Sequence, residues 1–497
     1  SHLFTTQKIY SLIKSFIVDF TIKCDTIIEL NKSIFCLFGR IKMQKLKFIF
    51  TLLIGKGLML FSNIFAKGRG TNMPGAKANA IMPDFIGHFT GIDPEKVVFV
   101  TGTNGKSTAN NMIVHALRDS GRTVCSNLEG ANMIGGIATA LIRNSTLTGK
   151  MKTEFFSFEI DERSLAGIYK YIPAKKVCIT NLQKDQVQRN GEPDYIVQKF
   201  RKVFNKDMTL FLNDGEPRAK SFEDFSDKVY YYGVDKTQYS FVKDKFYDVT
   251  MPCPKCSDKI YFDYYNVDNV GKFHCAGCDF SSEDKVDFYA QNVDFSECSF
   301  DCNGYRFKVT NKEPFYIFNY ALCIAVCTKL GMTNEELQRS FSNFKNISGR
   351  METLKYKTKT LKYIRIKQEN PETLQTALDY IAKDESPKLL LMGLEELKDF
   401  SPYYTNTFYA FDVDFESLKK NNIKHYICFS EAVAYDTANR MIYAGIDKND
   451  ISVLPNDSDE AILSELDKFD VDNVYLITWL KKYHELEKST KQYGGNE

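Results

Sequence analysis

The sequence of 497 residues lacks an excess of charge of either sign, because 65 Lys and Arg residues are balanced by 63 Asp and Glu residues to a net charge of +2. This balance gives no global signal for binding nucleic acid or an acidic partner. The sequence also lacks repeats and low-complexity tracts, and its 43% hydrophobic and 26% charged residues are typical of globular proteins. Disordered, collagen-like and multispan membrane proteins are therefore excluded, and at roughly 150 residues per domain the length favours about three domains.

Cysteine is too sparse for a disulfide scaffold, with 13 residues in a chain of this length. Four of them form two CxxC pairs separated by eighteen residues, Cys253 with Cys256 and Cys275 with Cys278. This spacing is typical of a tetrahedral four-cysteine zinc site, and four thiolates leave no open position, so the zinc would be structural. Metal-binding cysteines favour a reducing compartment, and hence a cytoplasmic protein. Four unligated cysteines are the alternative.

The N-terminal region lacks an apolar run of the roughly 18–20 residues that a spanning helix needs, since Lys56 interrupts the stretch from Phe48 to Phe65. Residues 43–83 carry six Lys or Arg residues and no acidic residue. Two interpretations stay open, a basic amphipathic helix at the inner face of an anionic membrane and a helix that packs on its own domain. Residues 1–42 show no clear caps or turns. We expect Met43 to be the biological start, with a genuine helical extension as the alternative.

A phosphate-binding loop is predicted where TGTNGKST follows the β-branched run Lys96–Val100 and precedes helical periodicity that ends at Gly121. The N–H groups of such a turn and of a helix N-terminus bind phosphate. Lys106 is expected to reach the β- and γ-phosphates of ATP, and Ser107 or Thr108 to ligate Mg²⁺. The spacing is the short form G-x-x-G-K-S, and a chance Gly/Ser turn is the alternative.

Strands are also predicted at 155–160 and 176–180, so this part of the chain is expected to be an α/β domain with a mainly parallel sheet. Glu159, Asp161 and Glu162 end the first of these strands, where nucleotides and metals bind in such sheets. Among them Glu159 is our candidate Mg²⁺ ligand. A second α/β pattern follows, with strands predicted at 388–394, 406–413, 425–430 and 473–480.

Several motifs together resemble the Mur ligases: TGTNGKST, SNLEGANM (126–133), ITNLQKDQ (179–186), FNYA (318–321) and SGRME (348–352). With the four-cysteine insertion and the stretch from Asn370 to Gln375, the chain is similar over about 43–490 to the MurT family, the ligase-like subunits of lipid II isoglutaminyl synthases. The resemblance implies a basic N-terminal segment and connector (43–92), a central ATP-binding domain (93–346) with a zinc ribbon inserted at about 247–290, and a C-terminal α/β domain (347–497).

The resemblance implies ATP-dependent amidation of the D-glutamate α-carboxyl of the lipid II stem peptide to D-isoglutamine. Ammonia would come from a separate GatD-like glutaminase, since the sequence has no cysteine nucleophile elbow of its own. Lys106, Glu159 and Arg350 are the implied catalytic residues, and Ser107 and Glu159 the implied Mg²⁺ ligands. The implied nucleotide site comprises Gly102, Thr103, Asn104, Gly105, Lys106, Ser107, Thr108, Asn319 and Arg350. Asn213 and Asp214 match a pair close to the nucleotide.

The sequence departs from the family in places that bear on the partner. Gln188 stands where the family has Asp and Asn190 where it has Tyr, whereas Asp185 is kept. The family aspartate that completes the Cys–His pair of the glutaminase aligns with Asn406, which can orient an imidazole but carries no charge. We therefore expect weakened coupling to the glutaminase, unless Asp412 or Asp399 replaces that aspartate. A nucleic-acid-binding ATPase and a diverged ligase or scaffold are the competing interpretations.

Overall fold

The computed structural model describes residues 43–61, 72–127, 131–185, 191–243, 251–283, 285–311, 313–344, 351–368, 370–395, 410–431 and 433–493, without the side chains of Met351 and Lys420. The chain forms two compact units, one from Ser1–Ile92 with Ala131–Glu154 and the other from Asp93–Gly130 with Phe155–Glu497. Residues 131–154 thus pack with the first unit, and the predicted domain bounds stay a prediction. Within the described ranges, no helix is long and apolar enough to cross a membrane.

The helices, in chain order, are α1 (43–61), α2 (Met73–Ile81), α3 (Lys106–Asp119), α4 (Ile134–Asn144), α5 (Leu165–Tyr169), α6 (Pro193–Arg201), α7 (Pro217–Lys220), α8 (Pro314–Lys329), α9 (Asn334–Asn343), α10 (Pro371–Ala382), α11 (Ala434–Tyr443), α12 (Asp459–Leu466) and α13 (Leu480–Tyr493). The strands are β1 (Val97–Thr101), β2 (Val124–Cys125), β3 (Phe155–Glu159), β4 (Lys176–Ile179), β5 (Thr209–Asn213), β6 (Lys228–Val234), β7 (Ile260–Val267), β8 (Val270–Cys275), β9 (Phe288–Asp294), β10 (Ser299–Cys302), β11 (Tyr305–Lys308), β12 (Met351–Tyr356), β13 (Lys359–Ile364), β14 (Lys388–Met392), β15 (Ile423–Phe429), β16 (Ile451–Leu454) and β17 (Asn473–Ile477).

The first unit is built from α1, α2 and α4. Gly75 of α2 lies directly against α4, and its N–H donates to the Thr139 hydroxyl at 2.9 Å. A Cβ at Gly75 would lie 2.5 Å from the backbone nitrogen of Thr139, so the two helices approach this closely only because the residue is glycine. On α1, the ring of Phe48 packs against Phe85 and Phe89 with centroids 5.4 and 5.2 Å away.

The larger sheet of the second unit has nine strands in the order β11-β10-β9-β6-β5-β4-β1-β3-β2. Neighbours from β2 to β9 run parallel, and β9, β10 and β11 form an antiparallel edge. All five residues of β1 are buried, as expected for a parallel strand covered on both faces. The chain builds β2 and β3 on one side of β1 and β4 to β6 on the other, which makes the carboxyl end of β1 a switch point where ligands bind.

Helix α8 belongs to a part of the core that the sequence alone predicts. Every residue from 316 to 327 is buried, which matches its nearly continuous apolar sequence. Together with the inward face of α3 it covers one face of the nine-stranded sheet. The helix predicted at 315–330 is therefore confirmed.

The chain between β6 and β9 contains a two-stranded antiparallel ribbon, β7 with β8, which is separate from the main sheet. The strands before and after it, β6 and β9, pair directly in parallel. The ribbon has a small apolar centre of its own, formed by Ile260, Phe273 and Phe280 beside the cysteines. The insertion predicted between about 247 and 290 thus corresponds to a separate two-stranded module.

The C-terminal sheet has six strands in the order β12-β13-β17-β14-β15-β16, and only the β12–β13 pair is antiparallel. Helices α10 and α11 contribute to the core on one face, and α12 and α13 to the core on the other. The strands predicted at 388–394, 425–430 and 473–480 are confirmed, although the last ends at Ile477.

The strand predicted at 406–413 is wrong for its described residues, 410–413, because residue 410 is helical and residues 411–413 form a turn and a bend. The guanidinium of Arg440 donates to the carbonyl oxygen of Ala410 at 3.0 Å and to that of Val413 at 2.9 Å. These contacts satisfy buried backbone groups that a strand would pair within a sheet.

Candidate functional site

The loop between β1 and α3 depends on two glycines. Gly102 has a φ of +124° and Gly105 a φ of +84°, conformations that residues with a side chain rarely adopt. A Cβ at Gly102 would lie 2.7 Å from the carbonyl oxygen of Asn181, and one at Gly105 would lie 2.9 Å from Oδ1 of Asn319. The structure thus places Asn319, predicted near the nucleotide, directly beside the phosphate loop.

The residues after β4 hold the loop in place. The N–H of Thr103 donates to the carbonyl of Asn181 at 2.8 Å, and the N–H of Asn104 donates to the Asn181 side chain at 2.9 Å. The Asn104 amide donates to Oε1 of Gln183, also at 2.9 Å. The sequence analysis used this segment only as part of a resemblance, so the bracing role of Asn181 and Gln183 was missed.

Lys106 is a buried cation at the centre of the loop, with only 6% of its side chain exposed. Its ammonium donates to the carbonyl oxygens of Gly102 and Thr103, the latter at 3.0 Å, and pairs with Oε1 of Glu162 at 3.1 Å. Burial alone would lower the pKa of Lys106, but the carboxylates of Glu162, Glu159 and Asp185 outweigh burial and raise it. The site therefore keeps a fixed positive charge, as phosphate binding requires.

Three acidic residues lie at the end of β3 and just after it. Glu159, Asp161 and Glu162 are all buried, and Asp161 lies 3.5 Å from Nε of Arg163. The Asn127 side chain fixes the backbone of Glu159 by accepting from its N–H at 3.0 Å and donating to its carbonyl at 2.8 Å. Carboxylate oxygens are ligands that Mg²⁺ prefers, so Glu159 and Glu162, whose charges act on Lys106, are of a suitable chemical type for the predicted ion.

Two observations refine the prediction for this acidic group. The direct partner of Lys106 is Glu162, whereas the sequence analysis favoured Glu159 for the metal; the role of Glu159 stays a prediction. Ser107 is exposed and Thr108 is half-buried in the first turn of α3.

Other predicted residues are less informative. Arg350 and Asn406 lie outside the described residues, and so do Gln188 and Asn190. Their predicted roles therefore stay predictions.

Asn213 ends β5 and Asp214 follows it, and their predicted closeness to the nucleotide stays a prediction. The Asn213 amide donates to the carbonyl of Thr180 at 3.0 Å, while Asp214 accepts from the N–H of Glu283 at 2.9 Å and pairs with Lys220 at 3.2 Å. Burial raises the pKa of Asp214, and the Lys220 ammonium opposes part of that rise. Their contacts join β5 to β4 and to the segment after the ribbon.

The C-terminal domain reaches the phosphate loop through a contact that the sequence analysis did not anticipate. The amide nitrogen of Asn370 lies 3.4 Å from Oδ1 of Asn104 and 3.4 Å from Oδ1 of Asp185. The ammonium of Lys367 pairs with the same Asp185 at 3.2 Å. Asn370 is fully buried and also caps α10 by accepting from the N–H of Thr373 at 3.0 Å.

The four predicted cysteines do converge. Their sulfurs all lie within 4.8 Å of one another, with Cys253 and Cys278 at 3.8 Å and Cys256 and Cys275 at 3.4 Å. Zn–S bonds of about 2.3 Å in a tetrahedron place sulfurs about 3.8 Å apart, so this donor set fits zinc. Backbone N–H groups also donate to the sulfurs of Cys253 and Cys275.

Family models match two parts of the chain. The Mur ligase middle domain matches residues 100–260, which include the phosphate loop and the first CxxC pair. The MurT ligase C-terminal domain matches residues 368–480. Together with the phosphate loop, these matches indicate a fold of the Mur ligase type.

Curated relatives narrow this class. The chain is 28% identical over 358 residues to "Lipid II isoglutaminyl synthase (glutamine-hydrolyzing) subunit MurT" of Staphylococcus aureus strain COL. The aligned region covers 72% of this chain and 79% of that protein. It is 27% identical to the subunit of the same name from Streptococcus pneumoniae, over 72% of this chain and 78% of that one. The chain is therefore a homologue of the MurT subunits.

Solved structures agree with the fold. The pseudomurein peptide ligase type C of Methanothermus fervidus superimposes with a TM-score of 0.59 at 18% identity, covering 82% of this chain and 81% of that one. The MurF ligase of Thermotoga maritima gives 0.52 at 15% identity, covering 84% of each chain. At these identities the likeness establishes the fold alone, and it confirms the α/β architecture expected from the sequence.

Proposed function

We propose that this chain is the ATP-dependent ligase subunit that amidates the D-glutamate α-carboxyl of the lipid II stem peptide to D-isoglutamine. The observation that carries the proposal is the buried Lys106 in an intact phosphate loop, within a chain that has a MurT-type C-terminal domain. The named relatives are subunits of a glutamine-hydrolysing lipid II isoglutaminyl synthase.

The chemistry explains the need for this loop. A carboxylate is a poor acyl donor at neutral pH, so the γ-phosphoryl group of ATP is transferred to one of its oxygens to give an acyl phosphate and ADP. Ammonia then attacks the carbonyl carbon, the bond to the phosphate oxygen breaks, and the amide forms with loss of phosphate and a proton. Catalysis of the first step is mainly positioning and charge neutralisation.

The residues of the loop suit that task. Lys106 supplies a fixed positive charge for the β- and γ-phosphates, and Glu162 holds its ammonium in position. Ser107 and Glu159 are the proposed Mg²⁺ ligands, and the ion would neutralise the phosphates beside the acidic residues that follow β3. Arg350 and Asn319 complete the proposed nucleotide site.

Ammonia is the part of the proposal that requires a partner. Free ammonia is largely protonated at neutral pH and diffuses away, so a GatD-like glutaminase subunit docked on the C-terminal domain is the proposed source. Asn406 lies outside the described residues, and the proposal that it weakens the Cys–His pair of the glutaminase rests on the sequence alignment. Asn406→Asp is then expected to raise glutamine hydrolysis.

The test compares Lys106→Met with Lys206→Met. Lys206 is a matched control because its ammonium forms a surface ion pair with Asp227 at 3.0 Å, far from the loop in sequence. With lipid II, ATP and an ammonium salt as nitrogen donor, Lys106→Met is expected to lose about 10²–10³-fold in amidation, as for removal of a principal charge-stabilising group. Lys206→Met should retain full activity.

The ammonium salt makes the assay independent of the glutaminase. Wild-type amidation from Lys106→Met at an unchanged melting temperature would refute the ligase assignment. Binding and hydrolysis of ATP without amide formation by the wild-type chain would instead support a diverged ligase with another carboxylate acceptor.

A further inference from the structure

Helix α1 exposes a continuous row of large apolar side chains. We define its outer face by Leu46, Phe50, Leu53, Gly57 and Leu60. The four side chains with a Cβ are between 47% and 65% exposed, and the spacing of three and four residues keeps them on one side of the helix. An apolar row about 21 Å long, from the 1.5 Å rise per residue, is unusual on a protein surface without a ligand or partner.

The opposite face of the same helix is already used. Phe48 and Leu52 are buried, and a Cβ at Gly55 would lie 2.7 Å from the side chain of Ile142 on α4. This face therefore supplies the packing that holds α1 on its own unit, and the outer face is not needed for that purpose.

Lys56, which interrupts the apolar sequence, does not interrupt the outer face. Its ammonium donates to the carbonyl oxygens of Ile142 at 2.7 Å and Ser145 at 2.9 Å, at the C-terminal end of α4. The charge is thus directed toward the packed side, where it satisfies carbonyls that a helix end leaves without intrahelical partners. The sequence left open whether this helix lies at a membrane surface or packs on its own domain. The two interpretations are compatible, because one face of α1 packs and the other is exposed.

We propose that the outer face of α1 binds an anionic phospholipid surface, with the helix lying in the plane of the membrane. The charge pattern favours this occupant: Lys45 and Lys47 are exposed at one end of the face, and helix α1 carries no acidic residue. Apolar side chains that enter the headgroup region beside lysines that contact anionic lipid are the features of an interfacial helix. The binding is independent of the proposed function, although a lipid-linked substrate would make it useful.

The test is co-sedimentation of the full chain with vesicles of phosphatidylcholine and phosphatidylglycerol, compared with vesicles of phosphatidylcholine alone. Phe50→Glu is the test variant, and Leu147→Glu is the matched control because Leu147 is an exposed leucine of the same unit outside α1. The wild type and Leu147→Glu should bind the anionic vesicles equally. Phe50→Glu should bind about 10–100-fold more weakly, the loss expected when one large apolar side chain no longer enters the membrane.

A second pair of substitutions tests the electrostatic part. Lys45→Gln with Lys47→Gln should weaken binding to the anionic vesicles on the order of tenfold, and added salt should reduce wild-type binding.

Equal binding by Phe50→Glu and the wild type would overturn the proposal. So would a wild-type dimer that Phe50→Glu dissociates in the absence of any vesicle binding, because the occupant would then be a second copy. Binding by a chain that begins at Met43, with none by the full chain, would assign the face to residues 1–42 instead. The vesicles contain no lipid II, so these outcomes are separate from failure of the proposed amidation.

Discussion

The four-cysteine cluster and the phosphate loop both follow from short sequence motifs, yet the chain assembles them differently. All four cysteines come from residues 253–278, on a ribbon with its own small apolar centre. The loop takes its partners from far along the chain: Glu162 is 56 residues from Lys106, Asn181 is 77 from Asn104, and Asn370 is 266 from Asn104.

This difference teaches which parts of a site a motif can specify. Each CxxC turn contains two of the four predicted zinc ligands, so the sequence spacing alone specifies which residues would bind the metal. TGTNGKST specifies the glycine conformations and the cation, but its rigidity depends on residues that only the tertiary fold brings near. Substitution of a cysteine ligand should therefore have a large effect on the ribbon. Substitutions of the residues that contact the loop should have smaller effects, which depend on the contact that is lost.

The largest effect is expected at the zinc cluster. Cys275→Ser removes one of four ligands, and metal-binding energy is folding energy in so small a module, so the ribbon should lose its zinc and unfold. Metal analysis should fall from about one zinc per chain to nearly none, with a lowered melting temperature. Cys298→Ser, at a thiol outside the cluster, should keep the zinc. Equal zinc content and melting in both variants would show that the cluster is not a metal site.

The next effect concerns the buried pair in the loop. Glu162→Gln leaves Lys106 without its direct counter-ion, and losing one member of a buried pair should cost about 3–5 kcal/mol in the free energy of unfolding. Glu95→Gln is the control, because Glu95 is 68% exposed in its ion pair with Lys176 and should cost less than about 1 kcal/mol. Urea unfolding of the two variants measures both changes. Equal losses would mean that Glu162 is not the residue that holds Lys106.

The sequence predicted the elements better than the contacts between them. Helix α8 and strand β1 were readable because their burial follows directly from apolar runs. The strand predicted at 406–413 was wrong for its described residues, 410–413, where Arg440, from α11, satisfies the carbonyls that a sheet would have paired. The pairing of Lys106 with Glu162 was not predicted, because only the path of the chain after β3 decides which acidic residue meets the ammonium, and the predicted role of Glu159 as a Mg²⁺ ligand stays a prediction.

The first turns of α10 join the ribbon to the phosphate loop. Asn370 contacts the loop, and two residues later Glu372 accepts from the Asn269 amide at the tip of the ribbon at 3.1 Å. Thr376 donates to Asp268 at the same tip at 2.9 Å. One helix of the C-terminal domain is thus placed to couple the two regions.

Glu372 makes the ribbon side of this contact sensitive to pH. One of its carboxyl oxygens is buried without a hydrogen-bond partner among the described residues. Burial, reinforced by the charges of Asp268 and Asp185 and opposed by Lys243, raises the pKa of Glu372 from 4.5 to about 8. In this pH range the folded state binds the proton that the unfolded state releases, so the contribution of Glu372 to stability falls as pH rises from about 4.5 to about 8.

Glu372→Gln should remove that dependence. The variant should match the wild type near the lower end of this range and exceed it by about 1–3 kcal/mol near the upper end, measured as the free energy of unfolding across the pH series. Glu385→Gln is the control, at an exposed glutamate of the same domain, and should keep the wild-type profile. A gain in stability that is constant with pH would point to packing rather than to titration.

The smallest effect is expected on the loop side of α10, and here the substitution must separate two roles of Asn370. Its side chain caps the helix and also contacts Asn104 and Asp185. Asn370→Ser keeps a good N-cap residue but is too short to reach the loop, so stability should change by less than about 1 kcal/mol. The KM for ATP in the amidation assay should rise about threefold to tenfold, with little change in kcat. The expected rise is small because both contacts of the Asn370 amide are long. A change in KM alone would give Asn370 a positioning role.

Asn370→Asp provides the sharper arm of the same test. It also keeps the cap, but it places a carboxylate beside Asp185, and like charges at this distance should raise the KM further than the serine does. If neither variant changes the KM while both fold normally, α10 only packs beside the loop, and the phosphate site would be complete within the Mur ligase middle domain. A larger rise for aspartate than for serine would show instead that a helix of the C-terminal domain contributes to a loop whose motif lies 266 residues earlier.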